Sequence, residues 1–211
     1  MKVALLNENS QASKNEIIYS CLKEVCDNKG YELYNYGMCD GKDCNLTYVQ
    51  LGLLSAILLN SGAVDFVVTG CGTGQGAMLA LNSFPNVLCG LIVDPTDAYL
   101  FGQINDGNAV SLPFAKGFGW GSELTLKNIF NTLFSEEFGG GYPVERREPE
   151  QRNKKILDGV KAITTRDILD ILKDIDQEFL RSTIDNDYFK ENFFKNSKNK
   201  EINKYLKKVL E

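Results

Sequence analysis

Residues 68–76 read Val-Thr-Gly-Cys-Gly-Thr-Gly-Gln-Gly, which sets one thiol and one hydroxyl, Cys71 and Thr73, among glycines at every second position. Glycine lets a ligand approach the main chain, and a turn that opens a helix presents N–H groups able to hold an anion. A thiol at such a helix start feels the positive end of the dipole, which favours the thiolate. Cys71 is therefore a candidate proton-transfer base or nucleophile. The other reading is a small buried hydrophobe in a tight turn. The spacing matches neither a phosphate loop, since no Gly-Lys-Ser/Thr follows, nor the GxGxxG of dinucleotide sites.

Other polar clusters stand where the chain changes direction. Asn7-Glu8-Asn9-Ser10 ends the first apolar run, and Asp94-Pro95-Thr96-Asp97 follows a later one. Asp94 as a helix cap with Pro95 behind it explains the second cluster without any function. Asn105-Asp106-Gly107-Asn108 precedes another apolar run, where turn chemistry is an equal explanation. Arg146, Arg147 and Arg152 offer planar donors for a carboxylate, or form a solvated charge run. Trp120 is a sugar platform or a core residue. The chain has no histidine, which excludes Ser/His/Asp triads, Cys/His dyads, His-ligated metals and imidazole acid–base work. Proton transfer falls to a carboxylate, a thiol, Lys or Tyr.

The elements that must position these groups alternate. Apolar runs at 2–6, 31–37, 64–70, 86–93 and 109–113 read as strands. Helical spacing follows each: from a Ser13/Glu16 capping box, from a Thr47/Gln50 capping box, from 74 to 82, from Pro95, and from 122 to about 138. Five short strands separated by amphipathic helices predict a three-layer α/β/α sandwich on a parallel, Rossmann-like sheet. The glycine- and charge-rich stretch 139–153 reads as a connector, and helical text rich in Lys, Glu and Asp runs from about Lys154 to the end. The expected division is an α/β domain over 1–150 and a C-terminal helical extension over 151–211.

Composition bounds the function. With 211 residues, 43% hydrophobic and a formal charge of −5, the chain can bury a large core and carries no footprint for nucleic acid or a membrane surface. Its start has no signal-peptide pattern, and cytoplasm is the expected compartment. The six cysteines are expected as free thiols, and Cys21/Cys26 and Cys39/Cys44 are spaced too widely for usual metal pairs, so neither metal nor cofactor is expected.

The stretch GCGTGQGAMLALNSFPNVLCGLIVDPTDAYLFGQINDGNAVSLP resembles the core of the ribose-5-phosphate isomerase B and galactose-6-phosphate isomerase family, and the likeness covers about residues 1–150. The resemblance implies a dimer, or a dimer of dimers, whose active sites are completed by the neighbouring subunit. It also implies a metal-free aldose–ketose isomerisation through a cis-enediol. Cys71 matches the family's base between C1 and C2. Thr73 and the amides of Gly72, Gly74, Gln75 and Gly76 match the part that holds the enediolate, and Asn105 and Asn108 match sugar-binding positions. Where the pentose-phosphate enzymes have Asp-His this chain has Glu8-Asn9, and where they have His-Asp it has Val93-Asp94. Glu8 or Asp94 then carries the proton between the two oxygens. Together with the length, the GFGWG segment at 117–121 and the 139–153 connector, these departures resemble the 4-deoxy-L-threo-5-hexosulose-uronate ketol-isomerases of bacteria that consume glycosaminoglycans. For that substrate Arg146, Arg147 and Arg152 would hold the carboxylate. The alternatives are a pentose- or hexose-phosphate isomerase and a non-catalytic anion-binding module in which Cys71 merely packs.

Overall fold

The computed structural model describes residues 1–39 and 45–211, so Cys44 of the Cys39/Cys44 pair lies outside the described residues. Five parallel strands, β1 (Lys2–Asn7), β2 (Glu32–Asn35), β3 (Phe66–Cys71), β4 (Cys89–Leu91) and β5 (Ala109–Pro113), lie in the order β2-β1-β3-β5-β4. Strand alternation divides the core in two. Val3, Leu5, Phe66, Val68, Val110 and Leu112 face one helical layer, and Ala4, Leu6, Val67 and Ala109 face the other. The first layer holds α1 (Asn15–Lys29), α4 (Pro95–Leu100) and α5 (Ser122–Leu133), which contribute Ile18, Leu22, Ala98, Leu126 and Phe130.

The second layer is built on α2 (Tyr48–Asn60) and α3 (Gln75–Asn82). Residues 50–59 of α2 are all buried. A helix apolar on every side needs cover on every side. The sheet provides one cover, and α7 (Ile168–Asp174), α8 (Gln177–Ile184), α9 (Asp187–Asn196) and α10 (Lys200–Leu210) provide the other. Ile168, Leu172, Leu180, Ile184, Phe189, Phe193, Ile202 and Leu206 share one core with Leu51, Leu54 and Leu58. Each such side chain contributes about 1.5–3 kcal/mol by leaving water. The remaining helix, α6 (Arg147–Thr164), leaves Ile156, Leu157, Val160 and Ile163 exposed.

Several boundaries differ from the sequence reading. The Thr47/Gln50 capping box is present, with the Gln50 side chain 2.9 Å from the Thr47 N–H. The Ser13/Glu16 box is not. Glu8 caps a 3₁₀ turn (Asn9–Lys14) that occupies Ser13, and α1 starts after it with no side-chain cap. β4 has three residues where eight were expected, because the Asn82 side chain pairs with both main-chain groups of Cys89 at the strand's start and Asp94 opens the next helix soon after it. α5 stops at Leu133, and Phe134 and Phe138 leave it to pack on Phe66. The 139–153 connector is half helix: α6 starts at Arg147, with Glu148 and Glu150 in the first turn, where the dipole favours them.

Candidate active site

Cys71 is the last residue of β3, in register with Pro113, and its carbonyl accepts a 2.9 Å hydrogen bond from the Phe114 N–H. The Gly72 carbonyl accepts from both Ala115 and Lys116, so the pairing of β3 with the chain after β5 continues into the turn. Two glycines here have steric reasons. A Cβ on Gly70 would lie 2.3 Å from the Leu112 carbonyl oxygen; one on Gly74, which has φ +75°, would lie 2.7 Å from Leu91 Cδ1. Gly74 caps α3, and the first helical bond runs from Met78 N–H to its carbonyl. The Gly76 and Ala77 N–H groups therefore have no acceptor within the helix. The Gln75 N–H donates to Thr73 Oγ1 at 3.4 Å, Thr73 and Gln75 are exposed, and the Tyr48 ring stands 3.3 Å from where a Cβ on Gly76 would be. The buried Cys71 thiol thus ends its strand at the turn whose Gly76 and Ala77 amides have no acceptor among the described residues.

β1 adjoins β3, so its end reaches the same edge of the sheet. Asn7 is fully buried; its side chain donates to the Gln11 carbonyl at 2.8 Å and accepts from the Glu8 N–H at 3.0 Å. Glu8 is buried, and its Oε2 accepts from both the Ser10 N–H and the Ser10 hydroxyl. Asn9 is held through its N–H to the Leu46 carbonyl at 2.8 Å.

Asp94 also follows a strand, but β4 is two strands from β3, and Asp94 is exposed with its carboxylate on the Asp97 N–H at 2.9 Å. Trp120 is fully exposed in the loop after β5 and is not a core residue. Nearby, Val93, Leu112, Lys116 and Phe118 line a cavity of about 310 Å³.

The remaining sequence candidates lie at the other end of the sheet. Asn105 closes a π-helical turn (Phe101–Asn105), and Asn108 immediately precedes β5, with its side chain bonded to the Leu88 N–H and the Asn86 carbonyl. Asn105 lines a groove of about 510 Å³ with Cys89, Lys161 and Thr164. Lys161 donates to the Asn82 carbonyl at 2.7 Å, and partial burial lowers its pKa. Arg146 lies 3.4 Å from Glu150, whose other oxygen accepts from the Tyr142 N–H; Arg147 and Arg152 are exposed on α6. Within one chain, Cys71 is thus grouped with Glu8, Asn9 and the glycine turn, and not with Asn105, Asn108 or the arginines.

Gln11, Lys14 and Tyr48 were not among the sequence candidates. Gln11 and Lys14 fall in the 3₁₀ turn that the supposed Ser13 cap concealed. Tyr48 follows a helix cap and carries no pattern of its own. Among the described residues, no cluster of Cys, Asp and Glu is arranged to hold a metal ion, and no helix is long and apolar enough to cross a membrane.

A parallel α/β sandwich carrying a thiol and a glycine turn on its carboxyl edge is an arrangement able to move a proton next to a stabilised oxyanion. The chain belongs to the ribose/galactose isomerase family, whose model matches residues 3–150. A second model, described as ribose-5-phosphate isomerase, matches 163–209. A solved 4-deoxy-L-threo-5-hexosulose-uronate ketol-isomerase, complexed with a tartrate, is 63% identical over 100% of this chain and 99% of its own, with a TM-score of 0.97. A ribose-5-phosphate isomerase from Vibrio parahaemolyticus is 49% identical over the same shares, also at 0.97. A ribose 5-phosphate isomerase from Thermotoga maritima, 22% identical over 75% of this chain and 97% of its own with a TM-score of 0.58, shares the fold.

Proposed function

We propose that the protein converts 4-deoxy-L-threo-5-hexosulose-uronate, an unsaturated-uronate product of glycosaminoglycan breakdown, to 3-deoxy-D-glycero-2,5-hexodiulosonate. The observation that carries this reading is the Cys71 thiol at the turn into α3, whose Gly76 and Ala77 amides have no acceptor among the described residues. The full-length likeness to a uronate ketol-isomerase solved with tartrate, a hydroxylated dicarboxylate, supports the substrate class. The Cys71 thiolate removes the proton from C2 of the aldose while the C1 carbonyl oxygen gains a proton, giving the cis-enediol. The thiol returns its proton to C1 as the O2 proton leaves, which yields the ketose. Amides at residues 72–76 hold the developing oxyanion, and Thr73 presents a hydroxyl beside them. Glu8, which directly follows the strand beside that of Cys71, passes the proton between O1 and O2. Asp94 is occupied as a helix cap and stands farther away, which favours Glu8 for that role.

The site is completed by a second copy of the chain. Asn105, Asn108 and the arginines lie at the end of the sheet opposite Cys71, and the apolar stripe of Ile156, Leu157, Val160 and Ile163 on α6 has no partner among the described residues. A dimer formed through α6 brings these groups to the neighbour's Cys71, where Arg146, Arg147 and Arg152 meet the carboxylate. The free cysteines suit the cytoplasm. The test measures loss of C2 deuterium and isomerisation on the keto-uronate, ribose-5-phosphate and galactose-6-phosphate. Turnover highest on the keto-uronate supports the reading, and a higher kcat/KM for ribose-5-phosphate overturns it.

A further inference from the structure

We propose that Gln11 donates a side-chain N–H to the enediolate oxygen beside Gly72, and that Lys14 is the positioning residue that holds the amide in that orientation. This rests on the isomerase reading and adds two residues to it.

The argument starts with an ammonium group, which donates and never accepts. Lys14 Nζ lies 2.8 Å from the Gln11 side-chain oxygen and also donates to the Phe114 carbonyl, with the Phe118 ring 4.7 Å away. The Gln11 oxygen is thereby committed to Lys14, and the amide nitrogen must face the other way. That nitrogen carries two hydrogens. One goes to Ser10 Oγ at 2.8 Å, and Ser10 in turn donates to Glu8. The second has no partner among the described residues. Gln11 is only 7% exposed, so it is an ordered donor within the turn, not a surface amide.

Gly72 shows where that hydrogen points. Unlike Gly70 and Gly74, it has neither a positive φ nor a close neighbour: a Cβ there would sit 3.8 Å from Ala115 Cβ and 4.0 Å from Gln11 Nε2, in ordinary contact. The fold does not require glycine at this position. The missing side chain leaves open the space that the Gln11 amide faces, next to Cys71, and a ligand oxygen placed there meets the amide. The same chain of bonds fixes Glu8: Ser10 occupies its Oε2 and leaves Oε1 for substrate.

The experiment compares kcat, KM, pH profile and melting temperature of wild type, Gln11→Glu, Gln11→Ala, Lys14→Met, Lys14→Arg and Gly72→Ala on the keto-uronate, with rates referred to folded protein. Gln11→Glu keeps the volume and the Lys14 pair but removes the N–H. It should lower kcat about 10²–10³-fold, the usual loss for one oxyanion donor, with KM within about threefold. Lys14→Met releases the amide and should lower kcat, and Lys14→Arg should restore most of it without moving the pH profile. Gly72→Ala should melt like wild type and lose activity. Wild-type kcat in both Gln11 variants, or losses that only track unfolding, overturns the proposal. A wild-type enzyme that washes no label from any sugar tested instead overturns the isomerase reading.

Discussion

Cys71 and Asn108 stand at opposite ends of neighbouring strands: Cys71 ends β3 beside Pro113, and Asn108 directly precedes β5. Five residues of strand separate Asn108 from the Cys71 level, about 16 Å. Asn105 lies at the same end as Asn108, so if either shares a substrate with Cys71 the two come from different subunits. Mixing the inactive variants Cys71→Ser and Asn105→Ala under subunit exchange should therefore regenerate activity. Random pairing gives about a quarter of the wild-type sites. No recovery in mixtures shown to exchange subunits would place the site within one chain.

Cys71→Ser should lower turnover at least about 100-fold, because removing a general base costs 10²–10⁴-fold. The fold should persist, since the backbone of Cys71 is held through Phe114 and not through its sulfur. Turnover near wild type in a folded Cys71→Ser protein shifts the base to Glu8.

Replacing Arg146, Arg147 or Arg152 by Ala should mainly raise KM for the keto-uronate, each lost charge-assisted bond being worth roughly 1.5–3 kcal/mol. Of the three, Arg146→Ala should also loosen the turn before α6, because Glu150 then loses its ion pair and keeps only the Tyr142 N–H. Unchanged KM in all three variants removes the arginines from the substrate and returns the choice to a sugar phosphate.

Gly74→Ala should destabilise the protein by about 1–3 kcal/mol through overpacking, with further strain from the left-handed backbone. Its Cβ would press on Leu91 and on the Leu112 main chain. Chemical unfolding gives the measurement, and a midpoint equal to wild type would show that the turn relaxes without loss.

Burial pushes the Cys26 thiol from 9.0 up to about 11, and Cys89 is raised by the same cause. The fold holds the neutral thiol, whereas the unfolded chain releases the proton at lower pH. This stabilisation is complete below pH 9 and is lost as pH rises toward about 11. Melting temperatures on either side of that window should fall more steeply for wild type than for Cys26→Ala. Parallel slopes assign the alkaline loss to other groups.

The layers of the fold were legible because alternating Val, Leu and Ile runs and helix-spaced stripes carry their own period. What sequence could not show was contact between distant segments. The Ser13/Glu16 pattern has the spacing of a cap, yet the Glu8 carboxylate captures the turn first. Cys71, Thr73 and the glycines stood out by type, and Glu8 by its place after a strand. Gln11 gained significance only when Lys14 fixed its amide, a relation no spacing rule encodes. The sequence groups Asn105 and Asn108 with the polar segments at the carboxyl edge of the sheet. Their position before β5 sets them opposite Cys71.

The four closing helices on α2 also decide how the protein responds to dilution. A surface covered by a second molecule follows mass action and is bared as concentration falls. The outer side of α2 is covered by residues of its own chain, tethered and always at hand, so its burial is independent of concentration. The α6 stripe, by contrast, is exposed within one chain and is left to vary with association. The layer that carries Cys71 should keep its stability in dilute solution, while any activity that needs a second subunit fades there first.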